Sequence, residues 1–467
     1  MKFFIITLTL LFSGTVLAFG KTRQELGDIY RDHNGFPRCY QAKDGAYYFK
    51  WWNQPLTRKI RYYKDSDGDC RGAFPQTTKA NDSEIVYWSK YDESKLVDLP
   101  LSLKDELAQI SQKTNELLPY NSPEKFIEDQ GIHDYTLKLN RELSLKYGQI
   151  FSAKVFKAFI EKNPKNLEFR KSVLDNFSQR SVINFSSLKD KVSIVVSFGL
   201  GWEEKYEQAT PIYIREFLQD IKSLGLHVRF LKKNPWGSIR SNAEMIKGQI
   251  VDELRTKRNI ILVSLCKGTP ELLLAESKIY SEGREDIQGR IIGHVNLSGM
   301  LGGTFYSDKA NEFLLPKLIN PILKLIPLPS AKDTASMYGA IDFMRSDVVE
   351  GVLEEAAPLL PKDLLYINIT GAPLSSQVLE NSSPMIPIVK YTQLGKLTEG
   401  ANDGFLELPK TLIPETISHN QITFVMDSTH LLGDGVVENF RLTDELIRRS
   451  LYSSIIDRIV SEQEYSN

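Results

Sequence analysis

The run Asn259-Ile260-Ile261-Leu262-Val263-Ser264 leads through Leu265-Cys266-Lys267-Gly268 directly into Pro270-Glu271-Leu272-Leu273-Leu274-Ala275. It reads as a buried β-branched strand, a tight turn with small flanking residues, and a helix that begins at once. A turn this sharp is strained, and small neighbours are needed where strand and helix nearly touch. Cys266 stands at its apex. The turn would expose the thiol at a helix N-terminus, where the thiolate is favoured, and would leave the backbone N–H of Lys267 as a donor to a developing oxyanion. The bland reading is a buried cysteine acting as a small apolar filler. Residue type, strand, helix and small flanks together favour a nucleophile.

The same pattern recurs around it. Val192–Ser197 reads as a buried strand running into Phe198-Gly199-Leu200-Gly201-Trp202. A helix with Ile214, Phe217, Leu218 and Ile221 at helical spacing follows, stopped by Gly225. His227–Leu231 is a further strand, and Ala243, Ile246, Ile250 and Leu254 mark a helix face with Asn242 as a possible cap. Later strands are expected over 290–298, 364–369 and 421–426, and Leu446, Ile447, Leu451, Ile455 and Ile459 mark a closing amphipathic helix. Strands alternating with helices predict a doubly wound, mostly parallel α/β sheet with its ligands at the carboxyl ends of the strands.

A nucleophile so placed needs an acid and then a histidine further along the chain. Asp403, in the turn Asn402-Asp403-Gly404, and His430, just past the strand at 421–426, stand in that order. Asp427 and Asp434 flank His430 as rival acids, and Asp403 also suits an ordinary surface turn. The chain has six histidines; His294 lies inside a strand and reads as structural. The backbone N–H groups of Lys267 and of Leu200 or Gly201 are the candidate oxyanion donors.

Over residues 237–274 the chain resembles the α/β-hydrolase fold family, in the branch of bacterial lipases and esterases whose turn reads His-Ser-Lys-Gly-Gly. Lys267 and Gly268 match; Leu265, Cys266 and Thr269 depart. Asn296-Leu297-Ser298-Gly299, Gly302-Gly303-Thr304, the Asp403 turn and His430 are similar to later landmarks of that branch. Dienelactone hydrolase is a relative with cysteine at the nucleophile position. The resemblance spans roughly residues 192–467. It implies a hydrolase of esters, thioesters or lactones with a small-molecule or lipid-like acyl substrate. The rival expectation is a non-catalytic binding protein on a decayed hydrolase fold, and acyl transfer to an acceptor other than water is a third.

Met1-Lys2, the apolar run 3–12 and Val16-Leu17-Ala18 have the form of a secretory signal peptide over 1–18, which predicts a secreted or periplasmic protein. In an oxidising compartment three cysteines pose a pairing question. A Cys39–Cys70 disulfide, contributing about 3–4 kcal/mol in the chain-entropy model, leaves Cys266 as the odd thiol. The expected division is an N-terminal region over 19–180, β-rich and then helical, followed by the hydrolase domain over 181–467. The apolar, proline-broken run 313–328 makes a mobile lid over about 305–345 possible. Lys and Arg total 58 against 59 Asp and Glu, well mixed, so neither a nucleic-acid groove nor a polybasic membrane patch is expected. No membrane span is expected after signal cleavage. The Asp65-Ser66-Asp67-Gly68-Asp69 turn puts its glycine too early for a calcium loop, and no metal or cofactor is expected.

Overall fold

The computed structural model describes residues 122–199, 212–283, 289–308, 342–375, 400–430, 432 and 435–466, and five short strands before them. The signal peptide, the Asp65–Asp69 turn, Leu200, Gly201, Asp434 and most of the lid segment lie outside the described residues. The chain divides into two compact units, Met1–Gln109 with Lys317–Pro329, and Ile110–Pro316 with Ser330–Asn467.

In the first unit β1 (Ile29–Arg31), β2 (Pro37–Gln41) and β3 (Tyr47–Tyr48) form an antiparallel sheet, and β4 (Tyr62–Lys64) pairs with β5 (Cys70–Gly72). Cys39 lies on β2 and Cys70 on β5; the side chains that would form the expected disulfide lie outside the described residues.

The described part of the second unit opens with four helices, α1 (Pro123–Asp129), α2 (Leu137–Tyr147), α3 (Gln149–Glu161) and α4 (Pro164–Gln179). Ser122, Thr136 and Asn163 cap three of them through side-chain oxygens, and proline occupies the first helical position of α1 and α4. All four belong to the same compact unit as the sheet, so the expected division at residue 180 falls inside it.

The sheet has eight strands in the order β13-β12-β11-β10-β9-β8-β6-β7. Its parallel body is β6 (Val192–Ser197), β7 (His227–Phe230), β8 (Asn259–Leu265), β9 (Ile291–Leu297), β10 (Tyr366–Ala372) and β11 (Gln421–Asp427). The antiparallel pair β12 (Val436–Val437) and β13 (Phe440–Arg441) closes one edge. Between the strands run α5 (Ile212–Ser223), α6 (Ile239–Leu254), α7 (Gly268–Ser281), α8 (Ser346–Ala356) and the terminal α9 (Glu445–Ser466). This is the doubly wound, mostly parallel α/β sheet that the alternation of strands and helices predicts. Central strands covered on both faces explain the near-continuous apolar runs. Two readings need correction. The cap of α6 is Ser238, whose Oγ accepts from the Ser241 N–H, whereas Asn242 lies inside the helix. The strand expected over 364–369 begins at Tyr366 and runs to Ala372.

Side chains alternate between the two faces of each strand, and the faces differ in kind. One carries Ile194, Val196, Ile261, Val263, Val295, Leu297, Ile367, Ile369 and Phe424, packed with α4, α5 and α9 into the main apolar core. The intervening positions include Ser193, Ser264, His294, Asn296, Asn368 and Thr370, all buried. They are joined by hydrogen bonds such as Asn296 Nδ2 to Asn368 Oδ1 at 2.9 Å and Thr370 Oγ1 to Thr411 Oγ1 at 2.8 Å. Buried polar groups are tolerated only when paired in this way. Among the described residues no helix is long and apolar enough to cross a membrane.

Candidate active site

Cys266 sits between β8 and α7 with φ at 55°, in the left-handed region. For a residue with a β-carbon this costs about 1–2 kcal/mol. The surroundings hold it there: its N–H donates to the Leu297 carbonyl at 3.3 Å, and its own carbonyl accepts from Thr269 and Met300 at 3.0 and 3.1 Å. The small residue after the turn has a direct steric cause. A Cβ on Gly268 would stand 2.4 Å from the Ser197 carbonyl oxygen and 2.8 Å from that of Phe198. Ser264 serves differently: its Oγ meets His294 Nε2 at 2.9 Å and accepts from Thr269 Oγ1 at 3.0 Å, tying the strand end to α7 and β9. Cys266 itself is half-buried and unpaired in any disulfide.

Asp403 and His430 lie 27 residues apart and meet in space, Nδ1 to Oδ2 at 2.7 Å. The other carboxylate oxygen of Asp403 accepts from the N–H groups of Phe405 and Leu406 at 2.9 and 2.8 Å, and the His430 N–H donates to the Asp403 carbonyl at 2.8 Å. Both residues are buried. With Nδ1 engaged, the remaining ring nitrogen is the one available to a reactant. His430 Nε2 is buried and has no well-aligned hydrogen bond, yet the ring stands close enough to Cys266 to act on its thiol. Burial opposes thiolate formation. The His430 charge and the closeness of its ring to the sulfur, with the Lys267 backbone N–H, outweigh burial and hold the thiol pKa below its ordinary value. Burial also opposes a charged His430, but Asp403 and the Cys266 thiolate prevail and raise it to about 10. The pair therefore favours thiolate and imidazolium together.

The acid turn is held from a distance. Asn140 on α2 donates to the Ala401 carbonyl at 3.0 Å, and Ser144 Oγ accepts from the Ala401 N–H at 2.8 Å. Arg141 grips both oxygens of the buried Glu407 carboxylate at 2.8 Å each. Nothing in the local sequence announces this clamp, since its halves are some 260 residues apart. The two-pronged Arg–carboxylate pairing is a form that sequence can suggest only once the partners are known.

Of the sequence candidates, the structure brings together Cys266, His430, Asp403 and the backbone of Lys267. Leu200 and Gly201 lie outside the described residues. The rival acid Asp427 is engaged elsewhere, accepting from the N–H groups of Leu374 and Ser375. His294 is fully buried inside β9, as read from its position. Sequence reasoning missed a buried cluster beside the turn, Lys233, Glu271 and Lys267. Its one visible signal is Glu271, a carboxylate in the otherwise apolar run that opens α7. Among the described residues no group of three or more His, Cys, Asp or Glu side chains is arranged to hold a metal ion.

No protein-family model matches this chain, and no curated protein matches it either. Among solved structures it is similar to a metagenomic carboxyl esterase, at 16% identity over 60% of this chain and 78% of that one, with a TM-score of 0.40. It is similar to a Bacillus licheniformis lipase in its mature form, at 14% identity, 58% and 92% coverage and a TM-score of 0.39. A thioesterase from the prodiginine biosynthetic pathway of Streptomyces coelicolor gives 11% identity, 59% and 94% coverage and a TM-score of 0.32.

Proposed function

We propose that this protein is an exported hydrolase that cleaves an ester, thioester or lactone through a covalent acyl-enzyme on Cys266. The observation that carries the reading is His430. Its Nδ1 is fixed on Asp403 at 2.7 Å, while its charge and that of the Cys266 thiol stabilise each other. A histidine oriented by a carboxylate beside a strained thiol is the arrangement nucleophilic acyl transfer needs.

The Cys266 thiolate adds to the substrate carbonyl, and the carbonyl π electrons move onto oxygen. The backbone N–H of Lys267 meets that oxyanion, a contribution of about 3–4 kcal/mol per well-placed donor. The tetrahedral intermediate collapses, the carbonyl re-forms and the bond to the alcohol or thiol leaving group breaks. Imidazolium His430 supplies the leaving group's proton. Neutral His430 then takes a proton from water, which attacks the thioester; collapse releases the acid and returns the thiolate and imidazolium. Asp403 holds the ring in the required tautomer throughout. A thiolate is a good nucleophile and a good leaving group, so activated acyl substrates suit it better than amides. The signal-like N-terminus and the apolar, proline-broken run 313–328 fit an exported enzyme with an apolar acyl site.

The test is single-turnover acylation by p-nitrophenyl acetate and by a short acyl thioester, with the adduct located by mass. Acylation on Cys266 that disappears in Cys266→Ala supports the proposal. An ordinary alkylation profile for Cys266 with no acyl adduct sinks it and leaves the binding-protein alternative.

A further inference from the structure

Lys233, in the loop between β7 and α6, has a side chain only 3% exposed. Its ammonium donates to Ser197 Oγ at 3.1 Å, to the Phe198 carbonyl and to one oxygen of Glu271. A lysine has three N–H donors, and here all three are used. Two of the acceptors belong to the exit of β6 and the third to the first turn of α7. The remaining Glu271 oxygen accepts from Lys267 Nζ at 2.5 Å and from Asn242 Nδ2 at 2.7 Å, and Lys267 Nζ also reaches the Gly237 carbonyl at 2.6 Å.

The arrangement is a costly way to stabilise a fold. Two buried ammonium groups share one carboxylate, and replacing buried ions with well-packed apolar groups is often neutral or stabilising. Burial works against the charge on Lys233, as does Lys267, while Glu271 supports it. What the ions provide is geometry. A trans peptide points its C=O and N–H in opposite directions, so a grip on the Phe198 carbonyl also sets the plane of the Phe198–Gly199 peptide. That peptide lies directly against the nucleophile: a Cβ built on Gly199 would stand 2.8 Å from Cys266 Cβ and 3.3 Å from its Sγ.

We infer that Lys233 is a positioning residue that pins the Phe198–Gly199 peptide to the first turn of α7 and so fixes the backbone around the oxyanion formed at Cys266. The inference rests on the acyl-transfer reading above and adds to it the element that holds the β6 exit in register with the nucleophile turn. It touches no reacting atom.

The test compares Lys233→Met with the full wild-type chain. Methionine keeps most of the volume and leaves Glu271 paired with Lys267, so the buried cluster becomes neutral. Asp220→Asn, which weakens the buried Asp220–Arg448 pair between α5 and α9, controls for the general effect of altering a buried ion pair. Three quantities are read: the acylation rate with p-nitrophenyl acetate, the alkylation rate with iodoacetamide, and amide hydrogen exchange over residues 192–199 and 266–271. Acylation builds an oxyanion and alkylation does not. Lys233→Met is expected to lower acylation about 100-fold, the order seen when an oxyanion donor is lost, and alkylation by less than about five-fold. Exchange should accelerate in those two segments beyond the rest of the protein, and Asp220→Asn should show neither effect. Acylation retained, or acylation and alkylation falling in equal proportion, would overturn the inference. If the wild type is not acylated at all, the hydrolase reading fails. The exchange measurement then decides Lys233 alone: unchanged local protection overturns its positioning role, and local loss supports it.

Discussion

His430 and His294 are both buried, and each presents Nδ1 to a carboxylate, Asp403 at 2.7 Å and Glu276 at 3.2 Å. Their second nitrogens set them apart. His294 Nε2 meets Ser264 Oγ at 2.9 Å, and Ser264 is bonded onward to Thr269, so both ring nitrogens are engaged and the ring stacks against Tyr366. His430 Nε2 has no such well-aligned partner and faces a thiol on a strained turn. A serine, a histidine and a glutamate in line thus make a structural knot two residues from Cys266. A hydrogen-bonded acid–histidine pair does not by itself mark a site; what separates the two here is a ring nitrogen left over beside a half-buried thiol.

The contrast is most sharply tested by removing each histidine. Cys266→Ala should abolish acyl turnover, and His430→Ala should lower it about 10²–10⁴-fold, the usual worth of a positioned general base. Stopped-flow release of p-nitrophenol measures both. Cys266→Ser asks whether the turn keeps serine-hydrolase geometry; esterase activity equal to or above wild type is the expected sign that it does. His294→Ala should reverse the pattern. Leaving Ser264 and Glu276 buried without their partner should cost about 2–4 kcal/mol in a urea titration, with turnover per folded molecule within about three-fold of wild type. A large catalytic loss in His294→Ala at unchanged stability would erase the distinction.

pH gives a milder test. The thiol pKa is depressed and that of His430 is raised to about 10, so the ion pair persists between those two values. Iodoacetamide alkylation of Cys266 should be flat across that window towards pH 10 and fall on its acid side, where the thiolate takes up a proton below the ordinary thiol value of about 8.5. Asp403→Asn removes the main support for imidazolium, so the alkaline end of the window should retreat to lower pH, while the acid end should not rise, because the Asp403 charge itself opposes the thiolate. The smallest effect is expected at Arg141, whose side chain is 42% exposed. Arg141→Ala should lower stability by about 1 kcal/mol after allowing for solvent screening and slow turnover a few-fold by loosening the Asp403 turn.

The strand–turn–helix at Cys266 is legible in the sequence because its determinants are contiguous. Strand, small residue, Cys266, Gly268 and helix all fall within the residues from Asn259 to Ala275. The pairing of Asp403 with His430 is legible through chain order, since each follows a late strand of the sheet. The clamp on the acid turn is not, because Asn140, Arg141 and Ser144 look like the polar face of an ordinary helix until the fold brings Ala401 and Glu407 to them. Asn242 was misjudged for a related reason. Its amide turns inward to Asn234 and Glu271, and a helix start read locally cannot distinguish that role from capping. Lys233 carried no signal at all, being one of two adjacent lysines in a loop.

The two faces of the sheet should also tolerate drift differently. On the apolar side, exchanging Ile261 or Val295 for another aliphatic of similar size costs about 1 kcal/mol and asks little of its neighbours. On the other side, Asn296 is committed at once to Asn368, Thr411 and Thr269, so changing it strands several groups together. Substitutions there succeed only as matched sets. Lineages of this chain should therefore vary residue by residue on one side of the sheet and in concerted blocks on the other.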